Sequence, residues 1–311
     1  MLRRLARPLL PAIACLALAH AALAQENTPP VTSFAPANPD GPLANSQLGA
    51  ITLEAQLTTD AAAIPRGLVW RVFKPEPDKD GKLPLVASAQ GGTQTFDLEP
   101  GSYLVHATFG RAGATKRITV TRDSKREVLV LEAGGLTLDA VMSGGVRIPA
   151  NELRFAIYGD DEDDDGNRAL ITRDVLPNKV VRLNAGTYHV VSNFGSVNAV
   201  IRSDIKVDAG KLTAATVEHR AAEVTLKLVR EANGEAIADT AWSIVSDSGD
   251  PVFESVGAFA SMVLAEGEYV IIAKNRDRIY QRNYTVVAGH NEDVEVITTE
   301  AQATDAEDAA D

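Results

Sequence analysis

The sequence predicts an all-β protein made of three tandem antiparallel β-sandwich domains. A segment of the form Leu-x-x-Gly-x-Tyr occurs three times, about 80 residues apart, and a fixed period indicates one structural unit copied along the chain. Around each copy, apolar residues alternate with polar ones, which is the period of a half-buried strand. No long segment of the sequence shows the helical period instead.

Two segments of different composition flank the repeats. Residues 25–48 hold five prolines, so we expect a disordered leader there. Residues 300–311 carry acidic side chains and no basic one, so we expect a disordered acidic tail. The sandwich domains are then predicted at residues 49–133, 134–221 and 222–299. Paired small residues, Gly134 with Gly135 and Ala221 with Ala222, mark the two junctions.

Each predicted domain opens with an alternating strand, and a second strand follows with a large aromatic residue at its centre. The three aromatic residues occupy one repeat position: Trp70, Phe155 and Trp242. A large ring on an inward-facing strand position fills the space between two packed sheets. We therefore expect these rings at the centres of three separate cores.

The repeated segment itself predicts a turn that leads into a strand. Its glycine supplies a backbone conformation that other residues rarely adopt. Its tyrosine can bury its ring while the hydroxyl bonds to backbone at the corner. The glycines and tyrosines of the three copies are Gly101 and Tyr103, Gly186 and Tyr188, and Gly267 and Tyr269.

Leu-x-x-Gly-x-Tyr followed by an alternating strand resembles the prealbumin-like sandwich modules. This group includes Cna-B-type and carboxypeptidase-regulatory-like domains within the wider immunoglobulin-like class. The resemblance covers residues 49–300 as three copies, and it implies exported bacterial β-sandwiches that act as stalks, spacers or binding platforms. The motif is specific for architecture and implies no catalytic role. Only Pro100 keeps the proline before the glycine, and no Lys–Asn isopeptide triad is identifiable.

The first 24 residues predict a signal peptide, and therefore a periplasmic or secreted protein. Three arginines precede a short apolar run that ends at the small-x-small site Ala22-Leu23-Ala24. The run is too short for a spanning helix, so we expect no transmembrane span after cleavage. A lipid anchor on Cys15 is the less favoured alternative, because the apolar run continues past it. Cys15 is the only cysteine, so the mature chain would have no disulfide.

The net charge of the chain limits the classes of molecule that we expect it to bind. The formal net charge is −12, which repels phosphate backbones and anionic lipid and excludes nucleic acid as a favoured partner. The expected partner is an envelope protein or a glycan, whose identity the sequence does not give.

An acidic run at residues 160–165 is the strongest candidate for a metal site. Asp161, Asp163 and Asp165 alternate and are followed by Gly166, and carboxylate oxygens are the ligands that Ca²⁺ prefers. The acidic residue that closes an EF-hand loop is missing. The alternative interpretation is a solvated hairpin tip, since the related turns in the other two domains are similar hairpins. We keep Ca²⁺ as a hypothesis and expect no other cofactor.

No catalytic signature stands out in the sequence. The histidines lack metal-ligand spacing, and there is no nucleophile elbow or phosphate-binding loop. We therefore predict a non-enzymatic, exported scaffold or protein-binding component of the bacterial periplasm or envelope. The alternatives are a carbohydrate- or Ca²⁺-binding module array and a secreted enzyme with a site assembled from loops.

Overall fold

The computed structural model describes residues 48–123, residues 125–299 and, for the backbone only, residues 302–305. These residues form 23 strands and contain no helix. The predicted signal peptide with Cys15, the leader before Leu48 and most of the acidic tail lie outside the described residues. The predicted all-β fold class is confirmed.

The three repeats, here called modules 1, 2 and 3, have the following strands. Module 1 contains β1 (Gly49–Gln56), β2 (Leu68–Phe73), β3 (Leu85–Gly91), β4 (Gln94–Leu98), β5 (Gly101–Phe109), β6 (Ala112–Val120) and β7 (Lys125–Val130). Module 2 contains β8 (Ala133–Met142), β9 (Val146–Arg147), β10 (Leu153–Glu162), β11 (Arg168–Val175), β12 (Val181–Asn184), β13 (Gly186–Phe194), β14 (Val200–Val207) and β15 (Leu212–His219). Module 3 contains β16 (Ala221–Val229), β17 (Ala241–Ser246), β18 (Pro251–Val256), β19 (Phe259–Ala265), β20 (Gly267–Asn275), β21 (Arg278–Val286), β22 (Glu292–Ile297) and β23 (Gln302–Asp305).

Each module is a sandwich of two sheets with the same strand order. Module 1 has the sheets β4-β1-β7 and β3-β2-β5-β6. Module 2 repeats this order as β12-β8-β15 and β11-β10-β13-β14, with β9 added beside β8. Module 3 repeats it as β19-β16-β22 and β18-β17-β20-β21-β23. The repeat predicted from sequence is therefore a repeat of topology.

One strand pair in each module is parallel, which the sequence pattern did not predict. The first and last strands pair in parallel as β1 with β7, β8 with β15 and β16 with β22. This parallel pairing follows from the path of the chain through the two sheets. The last strand arrives from the opposite sheet instead of through a hairpin, and a crossover permits parallel pairing.

The three predicted aromatics lie at the centres of three cores. Trp70, Phe155 and Trp242 are all buried, each in a separate hydrophobic cluster. The indole N–H of Trp70 donates to the carbonyl of Gly92 at 2.8 Å, and that of Trp242 donates to Gly257 at 3.0 Å. Phe155 has no N–H to satisfy, so it fills the same place without such a bond. Truncating a buried ring of this size to alanine typically costs about 3–5 kcal/mol.

Neighbouring modules share core residues across their junctions. Leu131 and Ala133 both belong to the core of module 1, although β8 of module 2 begins at Ala133. Ala221 and Val263 of module 3 likewise pack in the core of module 2. The paired small residues that we expected at the junctions therefore lie inside β8 and β16. Leu131 and Glu132 connect the first two modules, and Arg220 connects the second and third.

The last strand lies within the segment that we expected to be a disordered tail. β23 pairs antiparallel with the open edge of β21, where Arg278 lies opposite Asp305. Strand positions within a module are counted here and below without β9, so that β6, β14 and β21 are the sixth strands. β6 and β14 end their sheets without such an addition. The rest of the predicted tail lies outside the described residues.

Candidate functional site

The three motif tyrosines make the same hydrogen bond. Each hydroxyl donates to the carbonyl four residues earlier: Tyr103 to Glu99 at 2.9 Å, Tyr188 to Asn184 at 2.8 Å and Tyr269 to Ala265 at 2.8 Å. Burial raises the pKa of each of these tyrosines, which keeps the hydroxyl protonated as a donor. These residues fix the turn that precedes the fifth strand of a module, so their role is structural.

The acidic loop of module 2 is organised around Asp163. Its carboxylate oxygen Oδ1 accepts the backbone N–H of Asp165 at 3.1 Å and that of Asn167 at 2.7 Å. Arg168 forms ion pairs with Asp160 at 3.5 Å and with Glu162 at 2.9 Å. Side chains of Asp, Asn and Ser commonly close turns in this way.

The same turn recurs in the other two modules. In module 1, Asp78 Oδ1 accepts the N–H groups of Asp80 and Lys82, both at 2.9 Å. In module 3, Ser246 Oγ accepts the N–H of Asp250 at 3.2 Å. A side-chain oxygen three residues before the turn glycine therefore holds all three hairpin tips.

The structure does not bring the three predicted metal ligands together. Among the described residues no group of three or more His, Cys, Asp or Glu side chains is placed to hold a metal ion, and Asp161, Asp163 and Asp165 are no exception. Asp163 instead bonds to its own loop. Ca²⁺ binding stays a prediction, to be decided by titration.

Module 2 holds a buried Ser–His pair that the sequence analysis missed. Ser192 Oγ lies 2.8 Å from His219 Nε2, and both residues are only 1% exposed. Ser192 lies opposite Phe155, where modules 1 and 3 place Ala107 and Ala273 opposite their tryptophans. Burial lowers the pKa of His219 to about 4, so the ring is neutral at pH 7. A substrate has no access to a pair this deeply buried.

The joint between modules 1 and 2 is closed by one asparagine. Asn184 Nδ2 donates to the carbonyls of Gly113 and Leu131 at 3.1 and 2.6 Å, and its Oδ1 accepts the N–H of Gly113 at 3.1 Å. Beside it, the Arg182 guanidinium lies 4.3 Å from the centre of the Phe109 ring. Three hydrogen bonds from one side chain hold two backbone segments in register.

The joint between modules 2 and 3 also uses one asparagine, but from the opposite side. Asn198 Nδ2 donates to the Tyr269 hydroxyl at 2.9 Å, and its Oδ1 accepts the N–H of Ala265 at 2.9 Å. Ala265 occupies the motif position that Asn184 occupies in module 2. The asparagine thus comes from the downstream module at the first joint and from the upstream module at the second.

Both joints bring together two equivalent segments, a docking hairpin of the upstream module and a receiving turn of the downstream module. The docking hairpin joins the fifth and sixth strands of the upstream module, at residues 109–113 in module 1, 194–199 in module 2 and 275–279 in module 3. The receiving turn precedes the motif glycine of the downstream module, at residues 97–100, 182–185 and 263–266.

Each joint depends on a glycine at the tip of the docking hairpin. Gly110 and Gly195 both have φ of +68°, a conformation that favours glycine. A Cβ on Gly110 would lie 3.0 Å from the Arg182 Cβ, and one on Gly195 would lie 2.9 Å from the Val263 Cβ. The glycines therefore serve both the turn and the close approach of the next module.

The outer face of module 3 carries a partly apolar depression. Ala241, Val256, Ile272 and Ile279 line a shallow depression of about 520 Å³. Val256 is 74% exposed. Isolated exposed apolar residues are ordinary, whereas a large contiguous apolar patch is typical of a contact surface.

The corresponding face of module 1 is more polar at two positions. His106 lies where module 3 has Ile272, and Arg71 lies where it has Ser243. No sequence pattern marks this difference between the two faces. Tyr280 and Tyr284 turn into the core of module 3 and contribute nothing to this face.

Comparison with known proteins gives a partial family match. A family model described as a Rhizobiales growth-associated tandem repeat domain matches residues 223–298, which lie within module 3. No curated protein matches the chain. No helix able to cross a membrane occurs in the part of the chain that the structure describes.

Several solved bacterial proteins resemble the chain at low identity. The TIE protein of Bacillus anthracis is 15% identical over 81% of this chain, with a TM-score of 0.24, and the match spans 50% of that protein's own length. The minor pilin GBS52 of Streptococcus agalactiae is 14% identical over 55% of this chain and 95% of its own, with a TM-score of 0.33. The major pilin subunit BcpA of Bacillus cereus is 11% identical over 80% of this chain and 99% of its own, with a TM-score of 0.23.

Proposed function

We propose that this chain is an exported, non-catalytic scaffold that binds other proteins in the bacterial periplasm or envelope. The observation that carries this proposal is the pair of closed joints. Asn184 and Asn198 each bind backbone of the neighbouring module, and core residues are shared across both junctions. Modules held in this way keep their outer surfaces at fixed separations, which is what a scaffold requires.

The non-catalytic part of the proposal rests on the placement of two candidate groups, the Ser192–His219 pair and Asp163. The Ser192–His219 pair is sealed inside module 2. The carboxylate of Asp163 is committed to its own turn. A catalytic site needs a titratable or nucleophilic group that a substrate can touch.

We place the protein-binding surface on the outer face of module 3. Its partly apolar depression differs from the more polar face of module 1, although the strand order is the same. Burying apolar area against a partner supplies most of the free energy of association at such a face.

The proposal is tested by site-specific photo-crosslinking in living cells. A photoreactive amino acid replaces Lys274 beside the apolar depression, and in a matched control it replaces Thr108, the equivalent residue of module 1. We expect discrete cross-links to one or a few envelope proteins from position 274 and not from position 108. The same cross-linking pattern from both positions, or none from either, would contradict the placement.

Two further measurements address export and catalysis. Cell fractionation with N-terminal sequencing is expected to recover a periplasmic or secreted chain beginning at Gln25. Retention in the cytoplasm would overturn the export part of the proposal. A reproducible hydrolase activity of the purified protein would overturn its non-catalytic part.

A further inference from the structure

We propose that copies of this chain associate head to tail, with the docking hairpin of module 3 contacting the receiving turn of module 1 in the next copy. This interaction would reuse the joint that already connects the modules within one chain. It goes beyond the proposed scaffold function, because it concerns the two ends of the array and not an envelope partner.

The docking hairpin of module 3 has the same geometry as that of module 1. In module 1, Phe109 pairs with Ala112 and two residues form the turn. In module 3, Asn275 pairs with Arg278 and again two residues form the turn. Arg276 therefore occupies the position of Gly110, and its φ of +55° keeps the same left-handed turn. No fourth module follows among the described residues to cover this hairpin.

The receiving turn of module 1 carries acidic residues at two positions where the internal receiving turns carry none. Counting from the motif leucine, Asp97 occupies the position of Arg182, and Glu99 occupies that of Asn184. Both acidic residues are exposed. No upstream module covers this turn in the part of the chain that the structure describes.

The charges of the two free ends are complementary at the position where Gly110 meets Arg182 within the chain. Gly110 meets Arg182 at the first joint, so the same joint between copies brings Arg276 to Asp97. Arg276 and Asp97 take part in no ion pair among the described residues. Complementary charge selects the partner and the orientation of an interface.

The second contact of the joint would bring together equal numbers of positive and negative charges. Within the chain, the turn after the first strand touches the turn before the last strand, as Thr58 touches Gly210. Between copies, Arg230 and Glu231 would approach Arg122 and Asp123, with one charge of each sign on either side. This contact neither favours nor opposes the association.

The joint between copies is looser than the internal joints. A Cβ at the tip of the docking hairpin comes within 3.0 Å of the next module at the first joint, so Arg276 requires a wider separation. Its long side chain spans that separation to reach Asp97. We therefore expect weak association that depends on exposed charges and is screened by salt.

The tail strand β23 pairs with the edge of β21 that the contact between copies would use. In the first joint, Asn184 binds both backbone groups of Gly113 at the start of the sixth strand. Ile279 is the equivalent residue of module 3, and it lies opposite Thr304 of β23. The tail must leave this position before Glu99 of another copy can reach it, so β23 acts as an intramolecular competitor.

Head-to-tail contacts between identical chains do not close by symmetry and lead to extended assemblies. Sedimentation velocity over a range of protein concentrations detects such assembly. The test compares the mature full-length chain with a full-length variant carrying Ala303→Pro and Thr304→Pro, which removes backbone N–H donors from β23.

We expect concentration-dependent association that is at least about tenfold stronger in the proline variant and at least about tenfold weaker in high salt, because exposed charges are screened. Arg276→Asp alone and Asp97→Arg alone, each in the proline variant, are expected to abolish association. A mixture of the two charge-reversed proteins restores it, because each end again meets an opposite charge.

Three results would overturn the proposal. The first is a proline variant that stays monomeric at low salt and high concentration. The second is association that survives either charge reversal. The third is equal association of the full-length chain and the proline variant, which would remove the competing role of the tail. None of these results bears on whether the chain binds envelope proteins through module 3.

Discussion

The buried histidine of module 2 makes the stability of this protein depend on pH in a predictable direction. Burial lowers the pKa of His219 from 6.5 to about 4. The unfolded chain therefore takes up a proton at this residue as the pH falls through 6.5, whereas the folded chain does not. Stability is fully present above pH 6.5 and is lost progressively as the pH falls toward 4. At 1.36 kcal/mol per pKa unit, this loss amounts to about 3 kcal/mol.

A double variant isolates this contribution. Ser192→Ala with His219→Leu recreates the apolar pair of module 1, where Ala107 and Leu131 hold the equivalent positions. Both proteins are unfolded by urea at a series of pH values and followed by far-ultraviolet circular dichroism. Tryptophan fluorescence is unsuitable, because Trp70 and Trp242 report only on modules 1 and 3.

Titrating carboxylates affect the wild type and the double variant alike, so the difference between their stabilities reports on His219. We expect the wild type to lose about 3 kcal/mol more than the variant between pH 6.5 and pH 4. Parallel stability curves over this range would refute the reasoning. A wild type that gains stability relative to the variant as the pH falls would refute it as well.

Four further predictions concern the motif tyrosines, the first joint and the acidic loop of module 2. Tyr188→Phe removes one hydrogen bond and is expected to lower the free energy of unfolding by about 1 kcal/mol in urea titrations, whereas Tyr269→Phe costs more because its hydroxyl also accepts a bond across a joint. Asn184→Ala leaves three backbone groups without their partner and is expected to speed proteolytic cleavage at the first junction, with unchanged cleavage rates as the contrary outcome. Asp163→Ala is expected to lower the melting temperature while Asp163→Asn largely preserves it, because an amide oxygen also accepts hydrogen bonds. The Ca²⁺ hypothesis predicts that millimolar Ca²⁺ raises the melting temperature and that Asp163→Asn with Asp165→Asn removes the effect; no shift in the wild type would end it.

The strands and cores could be predicted because they depend on local patterns. Alternating apolar residues set which face of a strand is buried, and the repeat by itself aligns Trp70, Phe155 and Trp242 at one equivalent position. The turn at Tyr103 was equally accessible, because a glycine two residues before a tyrosine is a short-range signal.

The joints could not be predicted because they depend on contacts between distant segments. Asn184 and Gly113 are 71 residues apart in sequence. A polar side chain in a turn is ordinary in a sequence, and nothing marks it as a bridge. The parallel pairing of first and last strands was missed for the same reason, since it follows from the path of the chain through both sheets.

The acidic loop supports two interpretations of one local signal. Acidic residues cluster around Asp163, which predicts a Ca²⁺ ligand, and the alternative interpretation is a solvated hairpin tip. Asp78 and Ser246, the equivalents of Asp163, perform the same turn-closing role with fewer acidic neighbours. Aligning the three turns position by position, instead of counting charges, would have pointed to turn closure.

The opposite placement of the two joint asparagines makes the order of the modules a fixed property of this chain. If module 2 were deleted, Gly113 would face Ala265, and no side chain would be present to bridge the new boundary. If module 2 were duplicated, Asn198 would face Asn184, and two bulky amides would compete for a space that accommodates one. Lengthening or shortening such an array by recombination would therefore require compensating substitutions at the boundaries.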